Sequence, residues 1–219
     1  MNLVAGIDEA GRGALAGPVV AGACVITIPL FRRRHGFPRW SPFKKKPTTD
    51  ILIADSKLLS SEEREQTFAW ISAACFYGVG IVSSFVIEKR GILYATQAAM
   101  LLALEDLRSK ISVRSLLIDG RDHFHFPLPH QSIIRGDMLH PEIAAASIIA
   151  KVTRDQMMRA ESGRFPIYGF HRHKGYGTEE HIDCLRKHGP CEIHRKSFLR
   201  AILEQQKLPF IDEEISIHP

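Results

Sequence analysis

Short apolar runs bounded by glycine and proline recur along the chain, and helix-forming segments lie between most of them. Residues 3–9, 19–28 and 76–85 are rich in β-branched or apolar side chains and predict three strands that pair in one sheet. The runs from Ser115 to Asp119 and from Ser132 to Ile134 predict two more strands. Because helices follow strands, we expect an α/β fold in which helices flank a mixed β-sheet.

The predicted helices carry start signals in the sequence. A capping-box signature at Ser60 and Glu63 opens a helix that precedes the third strand. A second helix is predicted from about Ile87 to Lys110, with an apolar face of alanines and leucines. Pro141 opens a third helix, and the three alanines at 144–146 permit it to pack closely.

The length of the chain favours one domain. With 219 residues and 45% hydrophobic content, it can bury a single substantial core over residues 1–219. From about Tyr168 the sequence is rich in His, Lys, Arg and Gly, which predicts loops and two short helices. We therefore expect residues 168–219 to form a small C-terminal helical segment appended to the main body.

Composition bounds the cellular setting. The four cysteines form no CxxC pair, and their spacing suggests no disulfide framework in a chain of this length. Asp8 and Glu9 interrupt the N-terminal run where a signal peptide needs apolar residues, and no stretch has the roughly twenty apolar residues of a membrane span. We expect a cytoplasmic protein without a membrane partner. The net charge of +5 fits a polyanionic partner without identifying one.

The segment from Phe31 to Thr49 is basic and contains no acidic residue. Its charged residues are Arg32, Arg33, Arg34, Arg39, Lys44, Lys45 and Lys46. Prolines interrupt any regular pattern there, so we expect a long exposed loop and assign residues 29–54 as a basic loop insertion. Two interpretations remain open, namely an arm that contacts phosphates and a solvated insertion without function.

Acidic residues stand at the ends of three predicted strands. Asp8 and Glu9 end the first strand, Asp119 ends the fourth, and Asp137 follows the fifth after a short turn. Ionised carboxylates beside an apolar sheet are desolvated and repel one another, so they usually hold cations or exchange protons there. If these strands are neighbours, the four acids form an all-oxygen pocket that suits Mg²⁺ or Mn²⁺ rather than zinc. Any single acid could instead be a helix cap, a turn residue or a surface ion pair.

A glycine-rich turn follows the first two acids. The sequence GRGALA at residues 11–16 fits the GxGxxA form of a dinucleotide fingerprint, so an NAD-binding oxidoreductase is an alternative from another class. Gly17 and Pro18 stand where a helix should continue, however, and no acid follows about twenty residues later to bind a ribose. A glycine-rich turn with an arginine can instead bring N–H groups and a guanidinium close to a phosphate or sugar.

Seven motifs follow one another along the chain: DEAGRGALAGPVVAGA at 8–23, DSKLLS at 55–60, LLIDG at 116–120, GD at 136–137, IAAASIIAKVTRD at 143–155, YGFHRHKGYGT at 168–178 and GPCEIHRKSF at 189–198. This ordered set closely resembles the bacterial ribonuclease HII (type 2 ribonuclease H) family. The resemblance covers about residues 3–198 apart from the basic segment. It implies a ribonuclease H-like fold, with a central mixed sheet flanked by helices and a small C-terminal helical segment.

The resemblance also implies roles for individual residues. The catalytic and metal-holding carboxylates of the family correspond to Asp8, Glu9, Asp119 and Asp137. Gly11, Arg12 and Gly13 match the turn that recognises the ribonucleotide at an RNA–DNA junction, and Tyr176 matches a tyrosine that stacks on the DNA side of that junction. Arg12 distinguishes this family from ribonuclease HIII, in which lysine is usual.

Some segments depart from the family pattern or allow more than one interpretation. Residues 29–54 are longer and more basic than the usual link before the DSK motif, and EKRGIL at 88–93 replaces a more usual Asp and Asn. We assign Lys57 and Lys174 as substrate-binding residues that contact phosphate, although exposed lysines often make no specific contact. A zinc site is an alternative, with spacing that fits no standard finger, for His171, His173, Cys184 and Cys191.

The resemblance implies an endonuclease that hydrolyses the RNA strand of RNA–DNA hybrids and incises at single ribonucleotides in duplex DNA. One or two Mg²⁺ or Mn²⁺ ions held by the four carboxylates are expected to activate a water for in-line attack, leaving 5′-phosphate and 3′-hydroxyl ends. Sequence preference should be slight, because the family recognises a sugar rather than base edges. We expect a monomer. The alternatives are a noncatalytic nucleic-acid-binding module and a nuclease of the same fold with another substrate.

Overall fold

The computed structural model describes residues 3–27 and 59–204 of the chain, and a five-stranded sheet lies at its centre. The strands are β1 (Val4–Ala10), β2 (Val19–Val25), β3 (Phe76–Val82), β4 (Ser115–Asp119) and β5 (His130–Ile133). Their order across the sheet is β3-β2-β1-β4-β5. β1, β2 and β3 pair antiparallel, whereas β1, β4 and β5 pair parallel. The sheet is therefore mixed, which confirms the prediction from the sequence.

Helices flank this sheet. In the described residues they are α1 (Ser61–Ala74), α2 (Ser84–Arg90), α3 (Ile92–Arg108), α4 (Gly136–Leu139), α5 (Pro141–Arg164), α6 (Phe170–His173), α7 (Glu179–His188) and α8 (Lys196–Glu204). A 3₁₀ turn at Pro166–Tyr168 precedes α6. None of the helices in residues 3–27 and 59–204 is long and apolar enough to cross a membrane.

The two faces of the sheet bury different helices. On one face, Ala99, Met100 and Ala103 of α3 join a core that includes Ile7 of β1. On the other face, α5 and α1 pack together, and Trp70 of α1 is part of that core. The apolar stripes of these helices remove the sheet from water on both sides, which is the arrangement expected for strands as apolar as β2.

The close approach of α5 depends on glycines in the strands beneath it. A Cβ at Gly6 would lie 2.1 Å from the carbonyl carbon of Glu142, and one at Gly22 would lie 2.3 Å from the carbonyl oxygen of Ala146. Both distances are far below van der Waals contact, so only glycine permits the helix to lie here. The alanines at 144–146 are all buried, which confirms the predicted close packing. As a result, α5 passes directly over the acidic end of β1.

Helix starts follow the sequence signals. The N–H of Glu63 donates to Ser60 Oγ at 3.2 Å, and the N–H of Ser60 donates to Glu63 Oε2 at 2.8 Å. These are the two bonds of a capping box, and α1 begins directly after them. Pro141 is the first residue of α5, as predicted.

Some predictions about the bounds and the number of the elements were wrong. The helix predicted from Ile87 to Lys110 is two helices, because Gly91 has a φ of 82° that takes the chain out of the helical conformation. The strand predicted for 19–28 ends at Val25, and the strand predicted for 76–85 ends at Val82, since α2 begins at Ser84. The C-terminal segment contains three helices in the described residues rather than two.

Some predictions concern parts of the chain outside the described residues. These parts are the basic loop insertion at 29–54, Lys57, and the C-terminal segment beyond residue 204. The division into one domain with an insertion and a C-terminal appendage therefore stays a prediction.

Candidate active site

Three carboxylates meet at one edge of the sheet. β1, β4 and β5 are adjacent and parallel, and Asp8 and Asp119 stand near the carboxyl ends of the first two. Asp137 lies in α4, soon after β5 ends. One carboxylate oxygen from each of the three residues lies within 4.8 Å of the others. The neighbouring strand ends anticipated from the sequence thus bring three of the four acids to one point.

The turn after β5 orients both Asp119 and Asp137. Arg135 has left-handed backbone geometry with a φ of 56°, and Gly136 then donates its N–H to Asp119 Oδ1 at 2.7 Å. A Cβ at Gly136 would lie 2.5 Å from Cδ1 of Ile143, so the turn packs closely against that side chain of α5. The same turn that delivers Asp137 therefore also fixes the carboxylate of Asp119.

Asp8 is strongly perturbed by its surroundings. Its exposed fraction is 6%, and its Oδ1 accepts the N–H of Glu9 at 2.7 Å. Burial raises the pKa of Asp8 well above its usual value, and the charges of Glu9 and Asp119 raise that pKa further. Hydrogen bonding to Ser147 acts in the opposite direction. The anionic form of Asp8 is thus costly unless a cation lies beside it.

The donor set fits a hard divalent cation. The group formed by Asp8, Asp119 and Asp137 offers carboxylate oxygens and neither nitrogen nor sulfur. Mg²⁺ and Mn²⁺ prefer such ligands. A cation among these oxygens would also offset the burial and repulsion that raise the pKa of Asp8. The residues present therefore suit the metal that the sequence predicted.

Glu9 lies beside this group rather than within it. Adjacent residues of a strand point to opposite faces, so Asp8 and Glu9 diverge. The Glu9 side chain is 14% exposed, and its Oε1 lies 3.5 Å from Nη1 of Arg12. Burial raises the pKa of Glu9, Arg12 lowers it, and the charge of Asp119 raises it. Glu9 therefore interacts electrostatically with the carboxylates of the site and lines the same pocket.

The glycine-rich turn forms one wall of that pocket. Gly11 has a φ of 89°, and a Cβ there would lie 1.9 Å from Nε of Arg154. Arg12 donates from Nη1 to Asp122 Oδ2 at 2.5 Å. No atom lies within 4 Å of a Cβ built on Gly13, so the turn is open on that side. Asp122, which the sequence reasoning missed, follows the strand-end Asp119 by three residues.

The dinucleotide-binding interpretation of this turn was wrong. Such a fingerprint requires a helix after the turn and then a parallel strand. Here the chain continues from Gly13 through residues 14–18 without a helix and enters β2, which is antiparallel to β1. The conformation of the turn therefore serves the acidic pocket instead.

A buried arginine holds the loop that follows the turn. Arg154 of α5 is fully buried and donates to the carbonyls of Ala16 and Pro18, each at 2.9 Å. It also donates to the carbonyl of Lys174 at 2.9 Å. Its guanidinium carbon lies 5.0 Å from the ring centroid of Tyr176. One side chain thus ties the glycine-rich turn to the segment that carries Tyr176.

A second buried arginine acts in the same way from the C-terminal segment. Arg195 donates from Nε and Nη2 to the carbonyl of Gly17 at 3.0 and 2.8 Å, and from Nη1 to the carbonyl of Arg12 at 3.0 Å. Sequence reasoning missed Arg154 and Arg195, because a lone charged residue normally indicates surface. Their place within two of the seven motifs was the available signal.

The predicted site residues divide into three groups. The predicted residues that line the pocket are Asp8, Glu9, Gly11, Arg12, Gly13, Asp119 and Tyr176. The pocket is also lined by residues that the sequence reasoning missed, which are Ala10, Arg64, Ser147 and Lys151. Asp137 joins them through the carboxylate group. Lys174 does not line the pocket, and its Nζ donates to the carbonyls of His171 and Arg172 at 2.6 and 3.1 Å. Lys57 lies outside the described residues.

The alternative zinc ligands make separate contacts. Cys184 Sγ donates to the carbonyl of Ile167 at 3.1 Å, and Cys191 Sγ lies 3.1 Å from Nδ1 of His194. Within residues 3–27 and 59–204, the three aspartates form a group with metal-ligand spacing, and the four His and Cys candidates do not.

Sequence relatives match most of this chain. It is similar to Ribonuclease HII of Pelodictyon phaeoclathratiforme, with 44% identity over 206 residues and 93% of each chain covered. It is also similar to Ribonuclease HII of Acetivibrio thermocellus, with 43% identity over 203 residues, which cover 92% of this chain and 72% of the relative.

Solved structures show the same architecture. Ribonuclease H2 from Pyrococcus horikoshii OT3 superposes with a TM-score of 0.68 at 25% identity, covering 94% of this chain and 100% of the other. Bst-RNase HIII in complex with Mn²⁺ superposes with a TM-score of 0.62 at 15% identity, covering 94% and 70% respectively. The second likeness bears on the fold alone.

A mixed sheet of this order, with three carboxylates gathered at the ends of β1 and β4 and just after β5, defines a ribonuclease H-like, divalent-metal-dependent nuclease. A sequence model described as Ribonuclease HII matches residues 42–201. Together with the relatives at more than 40% identity, this match shows that the chain belongs to the ribonuclease HII family. The protein is a type 2 ribonuclease H, an endonuclease that acts on RNA in RNA–DNA hybrids.

Proposed function

We propose that the four acids Asp8, Glu9, Asp119 and Asp137 are the catalytic carboxylates with which this endonuclease hydrolyses the RNA strand. The observation that carries the proposal is the meeting of three aspartate carboxylates within 4.8 Å at the ends of parallel strands. Glu9 belongs to the set because it lines the same pocket and its pKa responds to the charge of Asp119.

The aspartates act by holding cations in a fixed place. Bound Mg²⁺ or Mn²⁺ supplies activation of the attacking water and neutralisation of the leaving 3′ oxygen. Asp119 is oriented by the N–H of Gly136, and Asp8 is oriented by the N–H of Glu9. In-line attack then leaves 5′-phosphate and 3′-hydroxyl ends. Either metal suits an all-oxygen set, and the solved Mn²⁺ complex of Bst-RNase HIII supports manganese as one of them.

Substrate choice is proposed to depend on Gly11, Arg12 and Gly13 on one wall of the pocket and on Tyr176 on another. The open side of Gly13 allows a sugar or phosphate to approach the backbone. The Tyr176 ring offers a surface on which a base or sugar can stack. These features favour incision where a ribonucleotide is followed by DNA, including single ribonucleotides in duplex DNA.

Other assignments stay predictions that this site neither requires nor opposes. They are phosphate contacts by Lys57 and Lys174, the basic loop insertion at 29–54, a monomeric state and a cytoplasmic location. RNA–DNA hybrid remains the substrate on which the proposal rests.

The test replaces single acids without changing their shape. Asp8→Asn and Asp119→Asn should lower cleavage of a duplex with one ribonucleotide by at least about a hundredfold, because asparagine keeps the volume but not the charge. The assay is run with Mg²⁺ and with Mn²⁺, and circular dichroism checks the fold.

The matched control is Asp183→Asn, which removes an exposed acid of α7 that pairs with Arg186 at 2.9 Å. This variant should cleave at the wild-type rate. Turnover near wild type in Asp119→Asn, with either metal, would refute the assignment.

A further inference from the structure

Three buried histidines lie beneath the turn that carries Tyr176. His173, His181 and His194 are 7%, 0% and 2% exposed. They pack around Phe170, whose ring centroid lies within 5.8 Å of each of theirs. These three side chains have no role in the catalysis proposed above. Since a buried imidazole normally needs partners for both ring nitrogens, their contacts define which nitrogen carries the proton.

The contacts of two of these histidines form a continuous chain. His181 Nδ1 lies 2.9 Å from the carbonyl oxygen of Tyr176. His181 Nε2 lies 3.0 Å from His194 Nε2. His194 Nδ1 accepts the backbone N–H of Cys191 at 2.9 Å. The two ends of the chain are therefore backbone groups of fixed character, a carbonyl that can only accept and an amide that can only donate.

These two ends determine every proton between them. Because the amide of Cys191 donates to His194 Nδ1, the proton of His194 must be on Nε2. His194 then donates to His181 Nε2, which leaves the proton of His181 on Nδ1, where it donates to Tyr176. Both rings are neutral in this arrangement, since a second proton on either ring would place two N–H groups face to face.

His173 fits the same pattern. Its Nε2 lies 2.6 Å from the carbonyl of Tyr168, and its Nδ1 accepts the N–H of Gly175 at 3.2 Å. Its ring stacks on that of His181 with centroids 4.3 Å apart. Burial lowers the pKa of His181 and of His194 to about 4, which agrees with neutral rings at physiological pH. The hydrogen-bond geometry alone, however, already requires the rings of His181 and His194 to be neutral.

The chain ends where the substrate pocket begins. The carbonyl of Tyr176 accepts His181 Nδ1 and, at 2.8 Å, the N–H of Thr178. The preceding carbonyl, that of Gly175, accepts the N–H of Leu15 at 2.8 Å. The turn around Tyr176 is thus held from below by histidine and from the side by the loop after the glycine-rich turn.

We infer that His181 and His194 are positioning residues whose one-way hydrogen-bond chain fixes the turn of Tyr176, and with it the ring that recognises the RNA–DNA junction. This inference rests on the proposed role of Tyr176. The histidines act through Tyr176 and do not touch the substrate. Their loss should therefore impair cutting at a single ribonucleotide and leave cutting within a continuous hybrid nearly unchanged.

The first measurement identifies the tautomers directly. Long-range ¹H–¹⁵N spectra of the full chain labelled with ¹⁵N-histidine, recorded at neutral pH, separate the two neutral forms and the charged form. The expected result is the Nδ1–H form for His181 and the Nε2–H form for His173 and His194. A charged His181, or an Nε2–H form at His181, overturns the chain.

The second measurement separates positioning from packing. His181→Asn keeps a donor at the position of Nδ1, whereas His181→Leu removes it. The leucine variant should lose about tenfold in kcat/KM on a duplex with one ribonucleotide, the scale of one lost hydrogen bond, and less than about twofold on a continuous hybrid. The asparagine variant should recover most of that loss. Equal losses on both substrates, or no recovery by asparagine, overturn the inference.

A double-mutant cycle with Tyr176→Ala distinguishes this inference from the proposal beneath it. If Tyr176→Ala loses cutting at the single ribonucleotide and His181→Leu adds no further loss to it, the two residues act as one unit. If Tyr176→Ala is impaired and His181→Leu is not, the inference fails while the proposed function stands. If Tyr176→Ala cuts normally, both fail. His188→Asn, an exposed histidine of α7, is the control and should match wild type.

Discussion

At the scale of single residues, Asp8 shows how catalysis opposes stability. It is almost fully buried, and burial together with the charges of Glu9 and Asp119 raises its pKa well above the usual range. Keeping Asp8 ionised in the folded protein therefore costs free energy when no cation is bound. The proposed role in metal binding, rather than any contribution to folding, accounts for an aspartate at this buried position.

Asp8→Asn should accordingly stabilise the metal-free protein. Removing one buried charge relieves repulsion, and a gain of about 1 kcal/mol corresponds to roughly 2–4 °C in Tm for a chain of this size. Adding Mg²⁺ should raise the Tm of wild type more than that of the variant, because a ligand stabilises the folded state more when it binds more tightly. Differential scanning calorimetry with and without EDTA measures both shifts. A lower Tm for the metal-free variant would contradict this account.

Arg12 is expected to act on substrate choice. Its guanidinium is held by Asp122 at 2.5 Å at the rim of the pocket, while the metal-holding oxygens lie elsewhere. Arg12→Ala should reduce cutting at a single ribonucleotide by about tenfold or more, the value of one charge-assisted hydrogen bond, and cutting of a continuous hybrid by much less. Arg186→Ala on α7 serves as the control. Equal losses on both substrates would indicate general binding instead.

At the scale of elements, the contact between α5 and the strands positions the whole site. The glycines at 6 and 22 let α5 lie against β1 and β2, and this places Ser147 and Lys151 along the pocket. Since the backbone of one element meets the backbone of another here, no side chain can be added without moving the helix. The position of α5 relative to the acidic residues therefore depends on Gly6 and Gly22.

Gly22→Ala should destabilise the protein by about 1–3 kcal/mol, the usual cost of overpacking a tight core. Its Cβ would lie 2.3 Å from the carbonyl oxygen of Ala146. The matched control is Gly163→Ala in α5, the helix that carries Ala146, because no atom lies within 4 Å of a Cβ built on Gly163. It should be stabilising by about 0.5–1 kcal/mol, because alanine favours helix. Urea unfolding of both variants checks the pair, and equal midpoints would disprove the packing argument.

Local patterns predicted the elements well, and the exceptions have physical reasons. The capping box at Ser60, the helix start at Pro141 and the existence of the five strands are local signals that were predicted correctly, although some of the strands end earlier than predicted. The break at Gly91 was missed, because a single glycine is also tolerated inside a helix. The carboxylate group could be predicted because each acid stands near the end of a strand or soon after it. Arg154 and Arg195 could not, since their partners are carbonyls far away along the chain.

At the scale of the whole molecule, the C-terminal segment is part of the site rather than an addition to it. Its described residues supply Tyr176 and the buried histidines, and Arg195 from the same segment holds the glycine-rich turn. The buried histidines also make the stability of the whole chain depend on pH. His181 and His194 have a pKa of about 4 when folded, below the ordinary value of 6.5.

The sign of this dependence follows from proton uptake. Between pH 6.5 and about 4 the unfolded chain binds more protons at these histidines, so folding stability falls as the pH falls, and the contribution is complete above pH 6.5. Urea unfolding in metal-free buffer from pH 7 to 4.5 should show a shallower loss for His181→Asn than for wild type. The comparison cancels the carboxylates that both proteins share. Parallel curves would show that His181 does not titrate in this window.

The late position of Arg195 in the chain also sets an order in which contacts can form during synthesis. Residue 137 completes the metal-holding carboxylates, whereas Arg195 bonds to carbonyls 178 and 183 positions earlier in the chain. During synthesis from the N-terminus, the three aspartates are therefore all present before Arg195 can bond to the glycine-rich turn and the loop after it. A ribosome-bound chain of about 160 residues has every ligand for the ion and lacks Tyr176 altogether. With the proposed role of Tyr176, selectivity for the junction depends on a residue that is made after all three aspartates.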